Sequence, residues 1–355
     1  MAPRIVVMGN INQDFVMSAE RMPRPGETVL GSDLRLVAGG KAANQAVTAA
    51  RLGADVTIIG RVGDDVFGPQ LRENLVAGGK AANQAVTAAR LGADVTIIGR
   101  VGDDVFGPQL RENLVREGVN TDHLVTDEEA ASGAAFIALS PEGENAIVSV
   151  PGANFKISDD QIHAAREAIG AADFALVQFA IPLHAVETLI DIAVQVGTPV
   201  QVDPTPVRER LPRDFAQAHV TVPNETEAEL IIGEPVDDLQ AAARATGSLR
   251  EMGIAVAVVK LGANGCVVRT GDGVWHVPGF PVEPTDTTGC GDAFAAGFAV
   301  GLAEDRSPTD AALFANACGA LAATVFGAQP SLPDRRAVES FLAERGSSVE
   351  PQKLQ

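Results

Sequence analysis

The chain has 355 residues, 46% of them hydrophobic, with 27 lysines and arginines against 46 acids and a net charge of −19. That balance speaks against a nucleic-acid or anionic-membrane partner, because phosphate-rich surfaces need clustered cations; a phosphate ligand has to be held locally by backbone amides, a few cations and metal. Cys266, Cys290 and Cys318 are widely spaced and form no CxxC pair, which points to neither a zinc site nor a disulfide framework.

Arg4 to Gly9 is a short apolar run ending in glycine, the pattern of a buried strand. It is too short for a signal peptide, and no stretch approaches the roughly 20 apolar residues that span a bilayer. With reduced thiols, this predicts a cytoplasmic protein. Pro23 to Leu36 alternates loosely around PxPGE turn chemistry and reads as a hairpin. Ala130 to Val150 has the same character, with a turn at PEGEN. The two β-rich pieces, about 12–36 and 130–150, are expected to form a small separate sheet.

Between them, Leu36 to Val76 is repeated residue for residue as Leu75 to Val115, 39 residues further on. Two copies without divergence do not make a solenoid; they read as a recent duplication or as an error in the gene model. Removing one unit leaves 316 residues, the size of an ordinary layered enzyme. Each copy reads helix, strand, helix: Ala42 to Leu52, Val56 to Gly60 and Val66 to Leu75 in the first.

After Pro151 strands alternate with helices. Strands are expected at FALVQFA, PVQVDP and Ile254 to Lys260, with a further strand end at HVTVPN. Helices are expected at His184 to Val196, Glu225 to Ile232, Gly291 to Leu302, Pro308 to Val325 and Arg335 to Glu344, and a hairpin at GCVVRT with GVWHVPG. The pattern predicts a three-layer α/β/α domain over 1–345, with a mainly parallel central sheet and a small β lid. Ligands should sit at the carboxyl ends of the strands. Residues 346–355 lack periodicity and are expected to be a flexible tail.

The most specific motif is Asp286-Thr-Thr-Gly-Cys-Gly-Asp292, running into an apolar helix. Gly289 and Gly291 allow a tight turn, and the helix start aims N–H groups and a positive dipole end at an anion. Asp292, in the first turn, is placed to take a proton from an attacking hydroxyl, although Asp is also simply favourable there. Asn224 and Glu227, three apart at a helix start, either hold a hydrated Mg²⁺ or form a plain capping box. Lys260 to Gly265 ends a strand with Gly262 and Gly265 in a turn, which suits a nucleotide or an ordinary hairpin. Asn12 and Asp14, with the double glycine of GGKAANQ, fit either vicinal hydroxyls or turn chemistry. No GxGxxG follows the first strand, and GGKA is not a P-loop.

Taken in order, GNINQDF, PRPGET, GGKAANQA, GRVGDDVFG, GENAI, PGAN, PNETEAE, KLGANG, DTTGCGDAF and GAQPSLP resemble the ribokinase (PfkB-type) family of carbohydrate kinases over about residues 4–345. The resemblance implies ATP-dependent phosphorylation of a sugar hydroxyl, with D-ribose the first substrate to consider. Other sugars or nucleosides are alternatives, as is a sugar-binding protein impaired by the duplication. By that resemblance Asp292 is the base, and Gly289, Cys290 and Gly291 form the anion hole. Asn12, Asp14, Gly40, Lys41 and Asn44 hold the sugar. Asn224, Glu227, Lys260, Gly262, Gly265 and Asn316 serve ATP and Mg²⁺. A monovalent cation such as K⁺ takes Asp286, Thr288, Ala322, Val325, Gly327 and Ser331. The lid pairs two subunits into a homodimer. Three positions depart from the family: Ala180 stands where a sugar-binding Glu is usual, Ala42 replaces the third Gly of the usual GGKGANQ, and Cys290 replaces an Ala, either as a small residue tolerated there or as a point whose oxidation would obstruct the loop.

Only one copy of GGKAANQ can occupy the site. The surplus 39 residues are therefore expected to loop out at the periphery, at a modest closure cost but with an exposed apolar strand. Gly40, Lys41 and Asn44 are expected to dock, and Gly79, Lys80 and Asn83 not.

Overall fold

The computed structural model describes residues 4–8, 12–19, 31–39, 55–61, 96–104, 120–130, 133–139, 145–150, 152–326, 331–346 and 349–354, together with Pro108, Glu112 and Val115. Among these, eleven strands form one sheet. From one edge it runs β15 (Gln352–Lys353), β14 (Gly273–Val277), β13 (Cys266–Thr270), β12 (Val256–Lys260), β11 (Val220–Thr221), β10 (Val200–Asp203) and β9 (Phe174–Gln178). It continues through β1 (Arg4–Met8), β4 (Asp55–Arg61), β5 (Thr96–Gly102) and β6 (Asn120–Asp127). Every pairing from β12 to β6 is parallel, and β13 to β15 add antiparallel strands.

The alternation of β-rich and helix-periodic segments becomes three layers. Leu176, Val220 and Val258 face one side of the sheet and pack with Phe294, Phe298 and Phe314 of helices α6 (Cys290–Ala303) and α7 (Pro308–Ala323). Val177, Val202 and Val259 face the other side and pack with Leu189 and Ile190 of α3 (Leu183–Val196) and Leu249 of α5 (Leu239–Glu251). Short helices α1 (Asp159–Ala164), α2 (Arg166–Ala171) and α4 (Glu225–Ile232), and the late α8 (Arg335–Arg345), complete the described helices. The helix ends carry ordinary chemistry: Asp238 and Ser307 side chains cap α5 and α7, and Pro308 occupies the first turn of α7. Small residues let α6 and α7 approach closely, since a Cβ on Gly297 would lie 2.9 Å from the Cys318 Sγ.

A second sheet of four strands, ordered β3 (Gly31–Gly39), β2 (Asn12–Ala19), β7 (Gly133–Leu139), β8 (Asn145–Val150), is the small separate sheet expected of the two β-rich pieces. Its first hairpin differs from the expected Pro23 to Leu36. The paired strands are Asn12–Ala19 and Gly31–Gly39, because the alternation that counts begins at Asn12 and the PxPGE segment lies between the strands, outside the described residues.

The duplication corrects the sequence expectation. Both copies of the VTIIG strand are in the main sheet, β4 from the first copy and β5 from the second. They are parallel neighbours, with Ile58 opposite Ile97 and Arg61 opposite Arg100. The looped-out reading treated the sheet as closed to newcomers. A parallel sheet is extensible instead: a strand inserted beside its own copy finds complementary backbone groups on both sides. Of the helices expected within the copies, the structure describes only Pro108 and Glu112, with Val115 just beyond, all three helical and in the second copy; the rest lie outside the described residues.

The tail is also corrected. Val349 is buried, Gln352 and Lys353 pair with His276 and Trp275, and the Leu354 N–H donates to the Val274 carbonyl at 2.9 Å. The Lys353 ammonium lies 5.4 Å from the Trp275 ring centroid. Two residues of pairing leave no periodicity to read, which is why the segment looked loose.

Candidate active site

The DTTGCGD motif sits where an anion would be held. Gly289 takes φ 88° and caps α6 without a side-chain hydrogen bond, whereas α4, α5, α7 and α8 each have a capping side chain. That φ requires glycine, and the bare helix start leaves room for a ligand to supply the missing acceptor. Asp292 is in the first turn and only 5% exposed. The Cys290 N–H donates to the Thr287 carbonyl at 3.3 Å, and the Asp292 N–H to the Gly289 carbonyl at 3.0 Å.

The loop before this helix is stapled to the end of α7. Thr285 and Asp286 N–H groups both donate to the Ala323 carbonyl, and the Thr288 N–H donates to an Asp286 carboxylate oxygen at 2.8 Å. Asp286, Thr288, Ala322 and Ser331 are all buried, while Val325 is exposed. Gly327 lies outside the described residues.

Asn224 and Glu227 form the capping box that is the plain reading of their spacing. Asn224 Oδ1 accepts from the Glu227 N–H at 2.8 Å, and Glu227 Oε2 accepts from the Asn224 N–H at 2.9 Å. The other Glu227 oxygen accepts from the Thr205 hydroxyl. Backbone bridging sets Asn224 beside Lys260. The Lys260 ammonium reaches back to Asp203 at 3.2 Å, with the two side chains 12% and 1% exposed. Burial, the largest influence, disfavours the ammonium, but Asp203, Glu227 and Asp292 outweigh it and hold its pKa above the ordinary lysine value.

A cavity of about 350 Å³ opens beside these groups. Its lining includes Lys260, Cys290 and Gly291, and also Gly262, Gly265, Phe280, Val282 and Asn316. Its mostly apolar wall suits a flat heterocycle, with Lys260 and Asn316 as polar groups. The Asn316 amide is occupied in part with structure, donating to the Val277 and Pro278 carbonyls at 3.0 Å each. Gly265 is required by close approach: at φ 86°, a Cβ there would lie 2.1 Å from the Val277 carbonyl oxygen.

Sequence reading had not singled out Asp203, Thr205 or Phe280. The signal for the first two was present, since Asp203 ends a parallel strand where ligands collect. Phe280 gave none; only the turn after β14 brings it to the cavity. Asn12 and Asp14 lie in lid strand β2, with Asn12 in register with Gly39 and Gly133. Gly40, Lys41, Asn44, Gly79, Lys80 and Asn83 lie outside the described residues. Ala180 follows β9 and is half-buried. The idea that Cys290 is an oxidation point is weakened: burial, with Asp286 and Asp292 nearby, pushes its thiol up to about 12, so little reactive thiolate exists at neutral pH.

The model of the pfkB family of carbohydrate kinases matches residues 2–77 and 72–335. The chain belongs to this family. Each matched segment contains one copy of the duplicated block. Ribokinase of Bacillus subtilis is 34% identical over 340 residues, covering 96% of this chain and 99% of that protein. Ribokinase of Haemophilus influenzae is 32% identical over 342 residues, with the same two coverages. Among solved structures, Arabidopsis thaliana ribokinase complexed with ribose and ATP superposes with a TM-score of 0.75 at 29% identity, covering 96% of this chain and 99% of that one. The family and the fold expected from the motifs are thus confirmed. No described helix is long and apolar enough to cross a membrane.

Proposed function

We propose that the chain transfers the terminal phosphoryl group of ATP to D-ribose, giving ribose 5-phosphate. The observation that carries this reading is Asp292, buried in the uncapped first turn of α6 next to Gly291, which lines a cavity together with Lys260. Relatives named ribokinase, one of them solved with ribose and ATP, support the choice of substrates.

In this reading Asp292 takes the proton of the attacking hydroxyl while that oxygen bonds to phosphorus and the bond to ADP breaks. Phosphoryl transfer asks mainly for positioning and charge neutralisation. Gly289, Cys290 and Gly291 supply main-chain donors to the phosphoryl oxygens. Gly262, Gly265 and Asn316 border the nucleotide. Asn224 and Glu227, fixed by their capping box, would hold a hydrated Mg²⁺, which when bound would neutralise phosphate charge. Asn12 and Asp14 from the lid, with Gly40, Lys41 and Asn44, hold the sugar.

Asp286, Ser331 and the carbonyls at Thr288, Ala322, Val325 and Gly327 offer hard oxygen donors only. That set fits K⁺ and not a thiophilic metal, and its role is to stiffen the anion loop from behind. The lid pairs two copies of the chain, and the reduced cysteines suit the cytoplasm. With Ala180 in place of a carboxylate acceptor, the sugar site lacks one hydroxyl partner and discriminates less sharply.

The test is ADP release with ATP and a panel of ribose, 2-deoxyribose, fructose and nucleosides. Ribose should give the highest kcat/KM, and Asp292→Asn should lower kcat by about 10²- to 10⁴-fold while nucleotide binding persists. Sugar binding without ADP release would favour a binding protein instead.

A further inference from the structure

We propose that Lys260 is the cation that receives the transferable phosphoryl group, and that Asp203 is the positioning residue that holds it ready. The inference deepens the ATP-using reading above and rests on it.

Lys260 is the last residue of β12, at the carboxyl end of a parallel strand. Its ammonium hydrogen-bonds Asp203 at 3.2 Å, and a Cβ on Gly291 would lie 3.6 Å from it. The charge therefore sits against the first turn of α6, where the anion loop ends. Among the described residues lining the cavity, Lys260 is the one with a charged side chain.

The balance of charge favours a cation at this point, beside the Mg²⁺ of the proposed reaction. Among the described residues, Asp203, Glu227 and Asp292 all act on Lys260, and Asp203 is in contact with it. A polyphosphate entering that field is repelled unless a positive group meets it. The ammonium has three donors. One is directed at Asp203, which leaves the others able to turn to phosphoryl oxygens. A lysine suits the task, since it is a compact point charge on a flexible stem. During transfer the bond from phosphorus to the ADP oxygen breaks as the sugar oxygen bonds to phosphorus. The hydroxyl proton goes to Asp292, and Lys260 keeps its proton throughout.

The test compares binding of ADP and of the non-hydrolysable triphosphate AMP-PNP by calorimetry on the full-length chain. Lys260→Met should weaken AMP-PNP by about tenfold or more, the size of a charge-assisted hydrogen bond, and ADP by less than about twofold. Removing the cation alone leaves Asp203 buried without its partner. The double variant Asp203→Asn with Lys260→Gln removes both charges together and should show the same selective loss. Lys260→Arg, which keeps the charge, should retain more of the AMP-PNP affinity than Lys260→Met. Equal weakening of both nucleotides in the double variant, or no weakening of either, overturns the proposal. If AMP-PNP is selectively weakened but the wild-type chain phosphorylates no sugar, the assignment of Lys260 stands and the kinase reading fails.

Discussion

Ile58 and Ile97 are the same residue of the repeated segment, and they lie opposite each other on neighbouring parallel strands. The first copy also pairs with β1, through Val56 and Ile5, and the second pairs with β6, through Gly99 and Leu124. In a chain with one copy, a single strand would meet both neighbours. The duplication has split that one role between two strands and widened the sheet by one.

Deleting residues 77–115 should therefore restore a ten-stranded sheet without creating a new junction, because Val76 then precedes Arg116 as Val115 does now. Thermal unfolding and ribose-dependent ADP release check this. The expected outcome is a single cooperative transition at or above the midpoint of the full chain, with activity at least equal. A shortened chain that fails to fold would show that the second copy has become structurally indispensable.

The register of the lid chooses between the copies. Gly39, at the end of β3, is opposite Asn12 of β2, so the first GGKAANQ continues directly from a strand that flanks a proposed sugar ligand. Asn44→Ala should raise the KM for ribose by about tenfold or more, the cost of one lost hydrogen bond in a polar site, whereas Asn83→Ala should change it by less than about twofold. Steady-state kinetics on the two variants decide the matter, and the opposite ranking would assign the sugar to the second copy.

Much of this was legible in the sequence, and the limits have physical causes. The parallel core followed from apolar runs alternating with helix-periodic segments, and the tight glycine turn into α6 from DTTGCGD, whose glycines and first-turn Asp serve a purely local geometry. What escaped was long-range. Asp203 meets Lys260 across 57 residues of chain, and neither residue's neighbours advertise the other. The strand at Gln352–Lys353 is defined by the open edge of β14 and not by its own pattern. The fate of the second copy depended on sheet extensibility, a property of the assembled fold.

The Arg4–Asp173 pair ties the start of β1 to β9. Asp173 accepts from the Arg4 backbone N–H at 2.8 Å and from its guanidinium at 2.9 Å. Burial raises the Asp173 pKa, but the hydrogen bonds and charge of Arg4 together pull it below the usual 3.8. A depressed carboxylate contributes stability that is present above its unfolded pKa and lost as pH falls through the folded one. Both side chains are more than a third exposed, so the contribution is discounted to about 0.5–1 kcal/mol. Asp173→Asn should lose that amount at pH 7 in urea unfolding, and the gap should close as pH drops below about 3.8. A gap that persists at lower pH would mean that the side chain acts by packing and not by charge.

The cysteines give a last, simple measurement. Burial pushes the Cys290 thiol up to about 12, with Asp286 and Asp292 adding to the shift, and burial also drives Cys266 and Cys318 well above the ordinary range. Alkylation requires thiolate. At pH 8 in native buffer, iodoacetamide should therefore modify Cys290 far more slowly than a free thiol, and all three cysteines should react once the chain is unfolded in urea. Mass spectrometry of peptides from a time course separates the sites. A nucleotide in the cavity that Cys290 lines should slow its reaction further. Rapid native labelling of Cys290, unaffected by ATP, would show that the loop before α6 opens to solvent in a way the half-buried thiol does not predict.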